Sequence, residues 1–162
     1  MHLPSSISTR MQYQHKSLVD IIDGLTEEQI RRNVIIGKWS IFENIVHLQT
    51  YQHAFCLRLK KIMEEDNPAF DRYSAETDPL FLDNCLISTR EIMQDFITVR
   101  KEMANLSMAI QEKDLKRTGT HPVFGTMNIV QWLNFFLLHE AHHLFAIFKM
   151  AAELKKLEAR RF

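Results

Sequence analysis

The sequence predicts an all-α protein built as a four-helix bundle. Three observations lead there. Apolar residues recur at three- and four-residue steps along four long stretches. Capping signals stand in front of several of them. Gly and Pro number only four each in 162 residues, too few for the turns of a β sandwich.

The first helix is expected over residues 6–23 and stops at Gly24, a usual helix-ending residue. Thr26 with Gln29 has capping-box spacing and predicts a short helical turn near residues 27–31. Residues 33–39 connect, with Gly37 among them. Ser40 and Glu43 form a second capping box, so a helix should run from 41 to about 65. Its buried stripe is Ile41, Ile45, Leu48, Phe55, Leu59 and Ile62, and Asn67-Pro68 closes it. After a loop over 66–78, Asp78 as N-cap and Pro79 in the first turn open a third helix. Phe81, Cys85, Ile92, Phe96, Val99 and Met103 mark one face of it, out to about Ala109. Residues 111–127 hold Gly119, Pro122 and Gly125 and read as a structured connection, a short turn or hairpin. Asn128 and Gln131 cap the fourth helix, expected to continue to about 158. Lys155, Lys156, Arg160 and Arg161 suit the negative end of its dipole.

At this length one domain, residues 1–162, is the simplest organisation, and its core needs no disulfides. Twenty basic residues balance twenty acidic ones, which argues against a nucleic-acid or membrane-surface partner. No apolar run is long enough to span a membrane, and the N-terminal residues are polar, unlike a signal peptide. Cys56 and Cys85 form no framework or metal-type pair, so a reducing cytoplasm is the expected location.

The eight histidines are the conspicuous feature of a neutral chain. At about 100° per residue, His143 lies about 40° from His139, and both fall inside the apolar stripe of the fourth helix with Trp132, Met150 and Leu154. One turn apart, their Cβ atoms are about 5–6 Å from each other, close enough to converge on one metal ion. Such an ion would satisfy two rings whose burial would otherwise cost about 1–3 kcal/mol each. A core hydroxyl or carbonyl partner for each ring is the bland alternative. His47, flanking the stripe of the second helix beside Tyr51, is the best third ligand. His53 falls on the polar face and should be solvated. His15 and His121 are ambiguous, His142 belongs at the rim, and His2 needs no special role.

His139-Glu140-Ala141-His142-His143 also fits the H-E-x-x-H pattern of zinc peptidases, in which the Glu is the general base. No strands are in view to hold a peptide and no third-histidine extension follows, so a peptidase is the lesser reading. Glu153 lies ten residues past His143, about 15 Å along the helix, too far to share a metal. Glu140, His142 and Tyr51 are the candidates for proton handling.

Gly37-Lys38-Trp39-Ser40-Ile41 leading to His47-Leu48, then His121-Pro122-Val123-Phe124-Gly125-Thr126, then Gln131-Trp132-Leu133 and His139-x-x-x-His143, together resemble the DinB-like superfamily, and within it the YfiT-like branch. The resemblance spans nearly the whole chain in order and spacing. It implies a homodimeric four-helix bundle with one divalent metal, zinc or nickel, on three histidines: His47, His139 and His143. Some members of the superfamily are thiol transferases or isomerases using bacillithiol, mycothiol or glutathione, and others are called metal-dependent hydrolases. The implied function is therefore a metal-dependent enzyme that activates a low-molecular-weight thiol or water against a small-molecule substrate. The rival from another class is a non-catalytic metal- or ligand-binding stress-response bundle. This chain has Ala146 where related sequences often carry Gln, which leaves one position beside the site without its polar group.

Overall fold

A computed structural model describes residues 3–159, apart from the side chain of Glu158. His2, Arg160 and Arg161 lie outside the described residues. The helices are α1 (Ser5–Tyr13), α2 (Ser17–Ile22), α3 (Glu27–Arg31), α4 (Ile41–Glu64), α5 (Pro79–Asn84), α6 (Thr89–Ala109) and α7 (Ile129–Ala159). Two short strands, β1 (Thr118–His121) and β2 (Gly125–Asn128), pair antiparallel just before α7. The bundle consists of α1–α2, α4, α6 and α7. Both α1–α2 and α4 pack against α6 and α7.

The capping residues act where the sequence places them. The Ser40 hydroxyl accepts from the Glu43 amide at 3.1 Å, and the Glu43 carboxylate accepts from the Ser40 amide at 2.6 Å. Asn128 and Gln131 make the same reciprocal pair at 2.9 and 2.8 Å. Every residue of the expected α4 stripe is buried.

Two expected helices are interrupted. The first tightens into a 3-10 turn at Gln14–Lys16 between α1 and α2, where the Ser17 hydroxyl donates to the Gln14 carbonyl at 2.8 Å. The third is two helices. The Cys85–Ile87 turn separates them, and Ser88 then starts α6 by accepting from the Glu91 amide at 3.3 Å. A Ser three residues before a Glu is itself a helix-start signal, and here it outweighs the continuing apolar period. The connection before α7 is a hairpin, with Gly125 at φ +70 opening β2 as the chain leaves the turn.

The apolar core falls into two clusters. One gathers Ile41, Ile45, Phe96, Ile147 and Leu154; the other gathers Phe55, Leu59, Met103, Trp132 and Phe136. On α4 and α7 the boundary between them falls near residues 47–51 and 138–143. The polar side chains of the bundle interior concentrate at that boundary.

Candidate metal centre

Helix α4 contributes His47 to this layer, and α7 contributes His139 and His143 one turn apart. One nitrogen from each ring lies within 4.8 Å of the other two. The His47 and His139 Nε2 atoms face each other at 3.1 Å. Two nitrogens held by a tetrahedral zinc ion at 2.0–2.1 Å sit about 3.3–3.4 Å apart, so this pair needs little adjustment to share one ion.

The tautomers fit as well. Asn44, one turn before His47, donates to the Ser40 carbonyl at 2.8 Å, and its Oδ1 lies 2.9 Å from His143 Nδ1. An amide oxygen only accepts, so His143 carries its proton on Nδ1 and keeps Nε2 free for the cluster. The Nδ1 atoms of His47 and His139 are buried without partners. Burial holds all three rings neutral, lowering the pKa of His47 to about 4, of His139 to about 3 and of His143 to about 2. Neutral imidazole is the metal-ligating form.

Trp39, immediately before the α4 cap, covers the cluster. Its ring lies 5.0 Å from that of His47 and 6.1 Å from that of His143. It also lines two cavities. One, of about 780 Å³, is bordered by His47, His139, Tyr51, Tyr73 and His121; the other, of about 710 Å³, by His143, Asn44, His142 and Ala146. Ala146 lines the second cavity with no more than a methyl group.

The other candidates divide. Tyr51 is buried, its ring 4.3 Å from that of His139, and burial pushes its hydroxyl up to about 12. His142 is exposed and meets His143 edge-on at 5.2 Å. Glu140 does not join the three histidines. It is fully buried on another side of α7, where Arg100 of α6 pairs with both its oxygens and Gln14 donates to it at 2.9 Å. The H-E-x-x-H glutamate is thus committed to a core ion pair, with Gln52 completing the network by accepting from Arg100 Nε at 2.6 Å.

His53 is half-exposed and lies 2.8 Å from Asp95, so it has a partner where a solvated ring was expected. His15 is buried, with its Nδ1 unpartnered. His121 is buried at the end of β1. Asn44, Trp39 and Arg100 were not singled out for roles from the sequence. Only Asn44 had a local sign, standing four residues after the Ser40 cap whose carbonyl it takes.

Comparisons with known proteins identify the family. A sequence model of the DinB superfamily matches residues 10–147. The chain is 27% identical over 135 residues to the uncharacterized protein YuaE of Bacillus subtilis (strain 168), covering 76% of this chain and 83% of YuaE. It is 24% identical over 127 residues to a presumed metal-dependent hydrolase of Bacillus mycoides (strain KBAB4), covering 78% of this chain and 72% of that one. Among solved structures, YfiT from Bacillus subtilis, described as a probable metal-dependent hydrolase with an unusual four-helix bundle topology, superposes with a TM-score of 0.80 at 16% identity. That match covers 93% of this chain and 86% of YfiT. The four-helix bundle protein TT2238 superposes at 0.64 with 18% identity, over 88% of this chain and 95% of its own. With the superfamily's sequence pattern running through 10–147 and its bundle architecture in place, the chain belongs to the DinB superfamily.

Proposed function

We propose that the protein is a metal-dependent enzyme acting on a small molecule, with His47, His139 and His143 holding one divalent transition metal. The observation that carries this reading is the convergence of three neutral ring nitrogens, two of them 3.1 Å apart, in a bundle where, among the described residues, the buried side-chain nitrogens and oxygens without a partner are Nδ1 atoms of His15, His47 and His139. An all-imidazole donor set suits zinc or nickel. When bound, such an ion acts as a Lewis acid that activates water or a thiol. The chain's own residues do the rest. Asn44 orients His143, Trp39 shields the cluster, and the neutral Tyr51 hydroxyl is available as a hydrogen-bond donor beside His139. The names of relatives, as metal-dependent hydrolases, favour hydrolysis. Thiol transfer is the second reading, and the pair of cavities meeting at Trp39 favours it, since transfer needs room for two organic substrates.

Elemental analysis of protein purified without added metal tests the centre. A stoichiometric transition metal is expected, lost in His139→Ala and stripped by chelator with a fall in Tm. A metal-free protein whose Tm ignores chelator would sink the reading. Activity lost along with the metal supports the enzyme, whereas no activity across an ester and thiol panel would leave the binding-bundle alternative. Among the described residues no helix is long and apolar enough to cross a membrane. Action in the cytoplasm as a homodimer belongs to the same proposal. Leu138, Phe145 and Phe148, all more than half exposed on α7, support the dimer, and a gel-filtration mass near 19.1 kDa would overturn it.

A further inference from the structure

The cavity beside His47 and His139 contains more hydrogen-bonding chemistry than a metal requires. Tyr51, Arg58 and His121 all line it. His121 Nδ1 accepts two backbone N–H groups, from Val123 at 3.1 Å and Phe124 at 3.2 Å. A ring bound in that way carries its proton on Nε2, so His121 offers the cavity only a donor. Tyr51, protonated at neutral pH, offers a second. Arg58 offers a permanent charge, and its guanidinium is held in place. One N–H donates to the Asp71 carbonyl at 2.7 Å, and the group lies 5.5 Å from the Phe70 ring and 6.0 Å from that of Trp132. Burial lowers the His121 pKa and the Arg58 charge adds to that fall, while at Tyr51 the same charge opposes the rise that burial causes.

The rest of the cavity sets a direction. Arg72 stands at its rim. Among the described lining residues the one carboxylate is Glu76, exposed and accepting from the Ser74 hydroxyl at 2.9 Å. Trp39, Phe124 and Phe135 supply apolar wall. Phe135 touches both the His121 ring, at 5.1 Å, and the His139 ring, at 6.4 Å, so one ring separates His121 from the histidine cluster, while Tyr51 meets the His139 ring directly at 4.3 Å. A volume of about 780 Å³ suits a small organic molecule.

We propose that Arg58, Tyr51 and His121 form a carboxylate subsite, so that the substrate is a small, partly apolar carboxylate whose reactive end reaches the three histidines. The orientation toward the histidines rests on the metal reading; the subsite itself does not. Positive charge, converging donors and aromatic walls, with the one lining carboxylate, Glu76, exposed and taken by Ser74, are what a carboxylate on a flat apolar body requires.

Titration of metal-free protein with benzoate and with its neutral analogue benzamide, followed by backbone NMR, tests this. Benzoate should bind at least about tenfold more tightly than benzamide and shift the Val123 and Phe124 amides. Arg58→Gln should weaken benzoate by about tenfold or more and leave benzamide unchanged. Tyr51→Phe, which removes one hydroxyl and keeps the ring, should weaken benzoate several-fold without lowering Tm. Equal affinity for the two probes, no saturable benzoate binding, indifference to both substitutions, or shifts confined to the cavity beside His143 would each overturn the subsite. Zinc uptake is measured on the same samples. A protein that takes up no zinc but still selects benzoate loses the metal reading and keeps the subsite. One that takes up zinc, and binds benzoate only then and without regard to Arg58, keeps the metal and loses the subsite.

Discussion

Replacing Glu140 with Gln separates a core role from a catalytic one. Both the Glu140 and Arg100 side chains have zero exposure. The carboxylate receives both Arg100 Nη groups and Gln14, while Gln52 takes Arg100 Nε. Glu140→Gln keeps the volume and removes the charge, leaving a guanidinium in the core without its counter-ion. Breaking one side of a buried pair costs about 3–5 kcal/mol. Against a total stability of about 5–15 kcal/mol, that is a large fraction. For a chain of this size it lowers Tm by roughly 6–20 °C. Arg100→Met combined with Glu140→Leu should recover much of the loss, because both charges leave together, though Gln52 then loses the donor to its Oε1. The assay is thermal and urea unfolding of metal-free protein, followed by circular dichroism. A Glu140→Gln protein that melts with the parent but has lost metal-dependent turnover would refute the reasoning. It would place Glu140 at the metal, as in a peptidase.

Asn44→Ala should weaken zinc binding by about 10–100-fold, since His143 loses the acceptor that fixes its tautomer; an unchanged affinity by competition with a chromogenic chelator would show that Asn44 is a bystander. The metal-free protein should lose stability in acid. The folded state keeps His15 and His47 neutral, with pKa values near 4, whereas the unfolded chain takes up protons near 6.5. The unfolded state therefore binds more protons between those values, and stability falls as pH drops through that window, by about 2 kcal/mol at pH 5 for His15 alone. Melts with a constant Tm from pH 7 to 4.5 would contradict this. Gly119→Ala should cost about 1–3 kcal/mol, because its Cβ would sit 2.8 Å from Ile62 and 2.9 Å from Phe70; a urea midpoint equal to the parent's would show that the hairpin can shift away.

What could be read from the chain was what is local. Capping boxes join residues three apart, and the His139–His143 pair is one turn of a single helix, so both show in the sequence. The break before α6 was present as Ser88 and Glu91, but Phe81, Cys85 and Ile92 keep an apolar rhythm across it. His47 looked like a flank residue because a helical wheel knows nothing of what packs outside it. Trp39 and Tyr73, from two connections, bring it to 5% exposure. Arg100 and Glu140 lie forty residues apart on polar-looking positions, and only the packing of α6 on α7 joins them. His121 is buried by a hairpin that Gly119, Pro122 and Gly125 signalled, but strands of four residues each carry too short a pattern to show which side chain turns inward.

Trp39 also makes the protein its own optical gauge. The chain has two tryptophans. Trp132 is sealed in the core beside His121, while Trp39 is half-buried and in ring contact with two of the three clustered histidines. Indole emission is quenched by a nearby ion with a partly filled d shell, such as nickel, and is spared by filled-shell zinc. Arrival of a partly filled-shell ion at the histidines is therefore written into the light from one residue, with the other as an internal standard, and the presence or absence of quenching distinguishes nickel from zinc without a label.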